Sequence, residues 1–216
     1  MGRKGGRLLL AVVAPLTASI AGAASPAEAT SQTLPPPGIY KIDPDHSFVS
    51  FGALHHVVGL VRGRFDKVTG TITVSPDPAA CAVDITIAAY SLSTQNTERD
   101  DDLRGPDFFD VDKFPQIRYH GRGLRRASSS SWALDGSLTI RGVTKVVRLT
   151  FTFNGLFPDT KPGKPQRAAF HGSASTKRAD FGMTRDNLME LGSSPPAADV
   201  QIEIDLEADS NNPTPR

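Results

Sequence analysis

Hydrophobic and polar residues alternate with a period of two over much of the chain. Successive side chains of a β-strand point to opposite faces of a sheet. Such alternation therefore predicts strands with one buried and one solvated face, which is typical of antiparallel sheets. The clear runs are 83–87, 132–140, 147–153 and 200–206, and weaker strands are predicted around 47–54, 65–75, 116–124 and 167–177.

Turn-forming residues separate the predicted strands. Arg141-Gly142 predicts a turn, and Asp135-Gly136 predicts either a turn or a bulge inside one strand. The segment 96–106 breaks the alternation: Asn96 can cap a helix, acidic residues follow, and Gly105-Pro106 can end it. These start and stop signals predict one short helix.

About eight alternating strands and one short helix predict an all-β fold, a single antiparallel β-barrel. A two-sheet sandwich is the alternative, because periodicity does not distinguish the two architectures. The interior of an eight-stranded barrel is either filled by side chains or holds one small ligand. One strand favours a ligand, because only one of the five side chains on its inward parity is large: Ala168, Phe170, Gly172, Ala174 and Thr176.

The first 29 residues have the pattern of a secretion signal. Basic residues between Arg3 and Arg7 precede an apolar run from Leu8 to Ile20, which is too short to span a membrane. We expect cleavage after Ala29, with Ala23 as the alternative site, export to the periplasm or beyond, and no transmembrane span in the mature protein. The predicted organisation is a signal peptide (1–29), a Pro-rich linker (30–38), a barrel domain (39–208) and a C-terminal tail (209–216).

Charge and cysteine content exclude several classes of protein. The chain has 24 Lys and Arg against 23 Asp and Glu, which gives a formal charge of +1. This near-neutral charge argues against nucleic-acid binding and against a polybasic protein surface that binds membranes. A hydrophobic content of 38% is sufficient for a packed core. Cys81 is the single cysteine, so no disulfide within the chain can form, and we expect it to be a small strand residue rather than a reactive thiol.

The sequence contains no recognised catalytic motif of the zinc-protease, Walker or serine-hydrolase type. A metal or haem site built from His46, His55 and His171 remains an alternative, and so does acid–base chemistry by the Asp residues of 100–110. Acids near a helix start are also favoured by the helix dipole, which is the simpler explanation for that cluster. We therefore expect no enzyme, no metal and no cofactor.

Several motifs resemble the YceI-like family in order and spacing, and together they extend over 39–208. They are IYKIDPDHS at 39–47, VSF at 49–51, His55, VRGRF at 61–65, STQNTERD at 93–100, LRGPDFFD at 103–110, FP at 114–115, GSLTIRGVTK at 136–145 and RADFGM at 178–183.

The resemblance implies a lipocalin-like antiparallel barrel, exported to the periplasm or outside, that binds long isoprenoid lipids or similar amphiphiles. It implies no established enzymatic activity, and it links the chain more loosely to isoprenoid quinone metabolism, transport or storage, and to stress response. A homodimer is compatible with it. Asp102 stands where the family commonly has His, and if that His contacts a polar head group, an acid in its place would weaken binding of anions.

A prenyl carrier fits the predicted fold, since burial of an apolar chain recovers about 0.8 kcal/mol per methylene-sized unit. The hydroxyl of Tyr119 could meet a lipid carbonyl or phosphate. The expected lining is the apolar parity of the predicted strands: Val83, Ile85, Ile87, Ile117, Tyr119, Leu149, Phe151, Phe153, Phe170, Ile202 and Ile204.

Polar candidates near the mouth come mainly from two motifs, STQNTERD and RADFGM, and each of these contributes one Arg and one Asp. We expect opposite charges of the two motifs, such as Arg99 and Asp180, to pair and fix the helix against the barrel, a structural role that outweighs head-group contact. Two other functions stay open: a redox or stress protein with haem or metal on His55 or His46, and an interaction module with a filled barrel. The polar candidates are His46, His55, Arg99, Asp100, Arg178 and Asp180.

Overall fold

The computed structural model describes Gly2 and residues 34–55, 59–157, 164–183 and 199–213. The predicted signal peptide, apart from Gly2, lies outside these residues. The described part contains twelve strands and one α-helix. They are β1 (Gly38–Ile42), β2 (Phe48–His55), β3 (Gly59–Phe65), β4 (Val68–Val74), β5 (Ala82–Ala88), β6 (Leu92–Ser93), α1 (Thr97–Arg104), β7 (Gln116–Arg122), β8 (Arg125–Arg126), β9 (Trp132–Ile140), β10 (Val143–Leu156), β11 (Pro165–Lys177) and β12 (Asp199–Pro213).

The strands form a closed antiparallel barrel. Strands β1, β4, β5, β7, β9, β10, β11 and β12 pair in that order, and β12 pairs again with β1. This closed ring of eight strands confirms the predicted barrel. The sandwich alternative is wrong, because two separate sheets would not be joined through every strand of one ring.

Three further strands prolong the wall at one end. β12 pairs with β1 at Ala208 and with β2 at Ile204. β1 and β2 therefore lie one after the other along the same edge of β12. β3 pairs with β2 along its length, and β6 pairs with β3 at only two positions. β12 also continues through 209–213, which the sequence assigned to a C-terminal tail, and thereby pairs with both β1 and β11.

The two candidate turns behave differently. Arg141 and Gly142 have φ angles of 51° and 74°, the left-handed geometry that a two-residue hairpin turn requires between β9 and β10. Asp135-Gly136 is neither a turn nor a bulge, because it lies inside β9 in continuous register with β10. A Cβ atom on Gly136 would lie 2.5 Å from the ring of Tyr119, so the glycine allows a close approach of that ring.

The predicted helix is confirmed as α1. The side chain of Asn96 accepts a hydrogen bond from the backbone N–H of Arg99 at 2.9 Å, and the helix ends before Gly105. The guanidinium of Arg104 donates to the carbonyl oxygen of Leu92 at 2.5 Å, which ties the helix to β6. In the described part of the chain, no helix has the length and apolar character needed to cross a bilayer.

Aromatic side chains pack one end of the barrel. The ring of Phe170 lies edge-on to Tyr40, with centroids 6.3 Å apart, and 5.7 Å from the ring of Phe153. Leu34, which precedes β1, and Leu124 also pack against this core. We call this region the packed end. Its aromatic rings supply a large buried apolar area that stabilises the closed barrel.

Candidate functional site

The opposite end of the barrel encloses an apolar cavity. Its volume is about 1120 Å³ when the open space at its mouth is included. The walls come from the inward faces of eight strands and are almost entirely apolar. They include Val49, Ile85, Ile87, Ile117, Leu138, Ile140, Val147, Leu149, Ile202 and Ile204.

Segments outside the ring of strands form the rim of the cavity. Phe109 follows α1 and packs edge-on against Phe65, with centroids 5.4 Å apart. Phe181 and Met183, both buried, follow β11 through a short 3-10 helix over Arg178–Phe181. The periodicity of the strands could not predict these residues. Their signal is the apolar content of the LRGPDFFD and RADFGM motifs, which the list of lining candidates did not use.

Seven of the eleven predicted lining residues face this cavity: Ile85, Ile87, Ile117, Tyr119, Leu149, Ile202 and Ile204. Val83, Phe151 and Phe170 surround smaller spaces toward the packed end, and Phe153 belongs to the aromatic cluster there. Parity identifies which side chains point inward, but not how far along the barrel axis they lie.

Two small residues of β11 lie at the cavity end of the barrel. Ala174 and Thr176 line the cavity. Gly172 lies deeper, where an added Cβ would be 3.2 Å from a methyl of Leu149. Small side chains on this strand therefore leave room at the cavity end, while the larger Phe170 fills the barrel below it.

The hydroxyl of Tyr119 is bonded to the barrel wall. It donates to the carbonyl oxygen of Val147 at 3.1 Å. Burial, together with the negative charge of Asp135, raises the pKa of Tyr119 to about 12. The hydroxyl therefore stays neutral and is hydrogen-bonded to the backbone of the barrel wall. This geometry does not support the expectation that it contacts a polar group of a lipid.

The polar mouth candidates separate into different environments. Arg178 lines the cavity, and among the described lining residues it is the one with a charged side chain. Arg99 donates to the hydroxyl of Thr94 at 2.7 Å, and the buried Asp100 accepts from the Thr94 N–H at 2.8 Å. The expected Arg99–Asp180 pairing is wrong, since no such ion pair occurs among the described residues and Asp180 is exposed.

His46 lies away from the cavity, in an ionic cluster near the packed end. Its Nδ1 is 2.9 Å from a carboxylate oxygen of Asp43, and ligand atoms of Asp43, His46 and Glu207 lie within 4.8 Å of one another. The guanidinium of Arg167 already lies 2.8 Å from Asp43 and 3.1 Å from Glu207. Hydrogen bonding to Asp209 raises the pKa of Arg167 further above its usual value. This group is therefore a compensated ion network rather than an open metal site.

Among the described side chains, no second histidine joins His46 in a cluster with metal-ligand spacing. His171 pairs with Asp205 across the β11–β12 ladder at 2.8 Å, and both side chains are partly exposed. The side chain of His55 lies outside the described residues. In the part that the structure describes, the one cluster with metal-ligand spacing contains His46 but not His171.

Cys81 is buried, and its sulfur accepts a hydrogen bond from the N–H of Ser75 at 3.2 Å. It packs in the core at the packed end, next to β5. This environment is that of a small apolar residue, and it shields the thiol from solvent.

The family model for the YceI-like domain matches residues 40–208. The chain belongs to the YceI-like family. Relatives include a UPF0312 protein of Pseudomonas aeruginosa strain LESB58 and the protein YceI of Salmonella newport strain SL254. Each is 34% identical over 171 residues, covering 78% of this chain and 85% of the relative. The resemblance inferred from the sequence motifs is thus confirmed.

Solved structures share the YceI-like fold. BcnA from Burkholderia cenocepacia superposes with a TM-score of 0.65 at 23% identity, over 77% of this chain and 99% of its own. A polyisoprenoid binding domain from Saccharophagus degradans gives a TM-score of 0.57 at 15% identity, over 79% of this chain and 98% of its own. At these identities the likeness concerns the fold alone.

Proposed function

We propose that this YceI-like protein is an exported carrier that holds a long isoprenoid or a similar amphiphile in the apolar cavity, for transport, storage or sequestration. The observation that carries the proposal is the cavity itself, whose walls are aliphatic and aromatic from the rim to the packed end. The protein acts by binding, without a chemical step. The Saccharophagus degradans polyisoprenoid binding domain has the same fold, which supports an isoprenoid as the ligand.

Burial of the apolar chain drives the proposed binding. Each methylene-sized unit removed from water contributes about 0.8 kcal/mol. A dozen such units contribute about 10 kcal/mol, which is comparable with the roughly 4–15 kcal/mol that association costs in lost freedom. Longer chains gain affinity only as far as the cavity extends, and the aromatic rings around Phe170 form its floor. The packed end therefore sets the length of chain that the barrel accepts.

A cavity-filling variant tests the proposal. Ala174 lines the cavity on β11, and Ser173 is exposed on the opposite face of the same strand. We expect Ala174→Phe to remove most of the uptake of geranylgeraniol, because the new ring occupies the ligand's space. Ser173→Phe adds the same ring outside the barrel and should bind as the wild type does.

Native mass spectrometry after incubation with geranylgeraniol provides the readout, and circular dichroism verifies that both variants fold. Equal lipid occupancy in both variants, or no lipid bound by the wild type, would contradict the carrier proposal. The second result would favour an interaction module. A visible absorption band in the purified protein would instead favour a haem protein.

Export and oligomeric state remain predictions. N-terminal sequencing of the protein from the periplasm or medium should begin after Ala29, or after Ala23 if the upstream site is used. A full-length protein retained in the cytoplasm would contradict export. Light scattering of the purified protein distinguishes a homodimer, with which the family resemblance is compatible, from a monomer.

A further inference from the structure

We propose that the amphiphile carries an anionic head group, such as a phosphate, and that this head group binds in a groove on the side of the barrel next to Arg62. This inference rests on the proposed lipid carrier and specifies its ligand class. The lateral groove lies between β3 and residues 93–95, with Gly52 and Gly63 among its lining residues. It is distinct from the open end of the cavity near Arg178.

A gap in strand pairing creates the lateral groove. β3 pairs with β2 from Gly59 to Phe65, but it pairs with β6 only at Arg64 and Phe65. Among the described residues, Gly59–Gly63 has no strand neighbour and no backbone hydrogen bond on that side. Within the described residues, the wall is therefore open beside β3, where unpaired backbone groups can meet a ligand.

The aromatic ring of Phe51 lies close to both the lateral groove and the cavity. Phe51 lines both spaces. A Cβ atom on Gly63 would lie 2.5 Å from the tip of the Phe51 ring and 2.7 Å from the methyl group of Thr94. The ring thus lies across the gap, under the backbone of Gly63 and against Thr94. Rotation of Phe51 would join the two spaces, so a tail in the cavity could continue into a head group outside it.

The groove has the chemistry of an anion site on its β3 side. The side chain of Arg62 is exposed and makes no hydrogen bond or ion pair among the described residues. Arg64 also lines the groove, where it is paired with Asp66 at 2.6 Å. Glu203 is the acidic side chain among the described residues that line the groove, and it lies on β12, opposite Ser50 and two strands away from β3. The guanidinium of Arg62 is therefore the group available to a ligand, and it can bind phosphate oxygens in a bidentate manner.

Backbone strain marks the opposite side of the groove. Gln95 has a φ angle of 61°, a left-handed conformation that is uncommon for residues other than glycine. Such conformations concentrate at binding sites, where the surrounding structure holds them. Here the strained residue lies at the groove and exposes an amide side chain there, where it can donate to an anion.

Two ligands with the same tail test the inference. Binding of geranylgeranyl phosphate and of geranylgeraniol is measured by calorimetry for the wild type, Arg62→Gln and Arg118→Gln. Arg118 is an exposed arginine on the outer face of β7, bonded to Gln116, and serves as the matched control. We expect Arg62→Gln to weaken phosphate binding about tenfold or more, the effect of losing a charged hydrogen bond. Its affinity for the alcohol should stay within about twofold, and Arg118→Gln should change neither.

Three results would overturn the inference. If Arg62→Gln binds the phosphate as the wild type does, the head group is not at this groove. If Arg178→Gln alone weakens phosphate binding, the head group sits at the open end. If inorganic phosphate binds the wild type as tightly as the prenyl phosphate does, the groove takes a free anion and not a lipid head group. In each case binding of geranylgeraniol still supports the carrier, whereas failure of both prenyl ligands to bind contradicts the carrier and this inference together.

Discussion

Tyr119 places a hydroxyl group inside an apolar barrel, and the backbone of the barrel wall provides its hydrogen-bond acceptor. The hydroxyl group donates a hydrogen bond to the carbonyl oxygen of Val147, and Gly136 leaves the space that the ring needs. We expect Tyr119→Phe to lower the free energy of unfolding by about 1 kcal/mol, the typical contribution of one hydrogen bond. Affinity for geranylgeraniol should not change. Urea unfolding and a binding titration measure the two effects, and a large loss of affinity would mean that the hydroxyl contacts the ligand.

Protonation of the exposed side chain of His46 is linked to the stability of the folded protein. The hydrogen bond and negative charge of Asp43 raise the pKa of His46. Burial alone would raise the pKa of Asp43, but hydrogen bonds from Asp45 and His46 and the charge of Arg167 lower it overall. The stabilisation by protonated His46 is therefore complete below its unfolded-state pKa, about 6.5, and is lost as the pH rises through the higher folded-state value. The contribution of Asp43 is lost only in acid.

We predict that His46→Gln flattens the pH dependence of stability. Between about pH 5 and pH 8 the wild type should lose free energy of unfolding relative to the variant. Urea unfolding of both proteins across this range tests the prediction. Parallel profiles would show that His46 titrates as it does in the unfolded chain.

Helix α1 is held by polar contacts more than by apolar packing, since Leu103 is its one aliphatic side chain. Asp100 is buried and accepts from the Thr94 N–H, whereas Asp102 is exposed on the same helix. We expect Asp100→Ala to cost about 1.5–3 kcal/mol, as hydrogen bonds to a charged group do, and Asp102→Ala to stay within about 0.5 kcal/mol. Equal effects in chemical unfolding would contradict the anchoring role of Asp100.

Strands with a complete apolar parity are readily identified from the sequence. β10 and β12 carry large side chains at every inward position of their predicted runs, and both were predicted. β3 was not predicted as a separate strand, because glycines occupy two of its inward positions. Gly63 is one of them, and it leaves the space that the Phe51 ring occupies. Tertiary packing, which periodicity does not report, therefore explains the omission.

At the scale of the whole molecule, one barrel combines a solid half and a hollow half. Phe170 is buried among aromatic rings, whereas Ile202 is partly buried and faces the cavity. We expect Phe170→Ala to lower the free energy of unfolding by about 3–5 kcal/mol, because it removes a ring from a packed cluster. Ile202→Ala should cost at most about 2 kcal/mol, because fewer neighbouring atoms lose contact. Similar losses in urea unfolding would mean that the two halves are equally packed.

The position of the cavity follows from long-range arrangement rather than from local sequence. The small parity of β11 predicted room inside the barrel, and Ala174 does line the cavity. Its location became clear only when closure of the ring placed Phe170 beside Tyr40 and Phe153 at one end. Phe181 at the rim follows β11 in a non-strand segment, where no periodicity indicates the direction of a side chain. Inward direction was thus predictable from sequence, whereas depth along the axis was not.

An electron-density map of the protein purified from its own host tests the central claim most directly. The account predicts one elongated density feature inside the barrel, in contact with Ile85, Leu149 and Ile204 and ending above Phe170. A cavity filled by the protein's own side chains, or by a hydrogen-bonded cluster of water molecules, would contradict it.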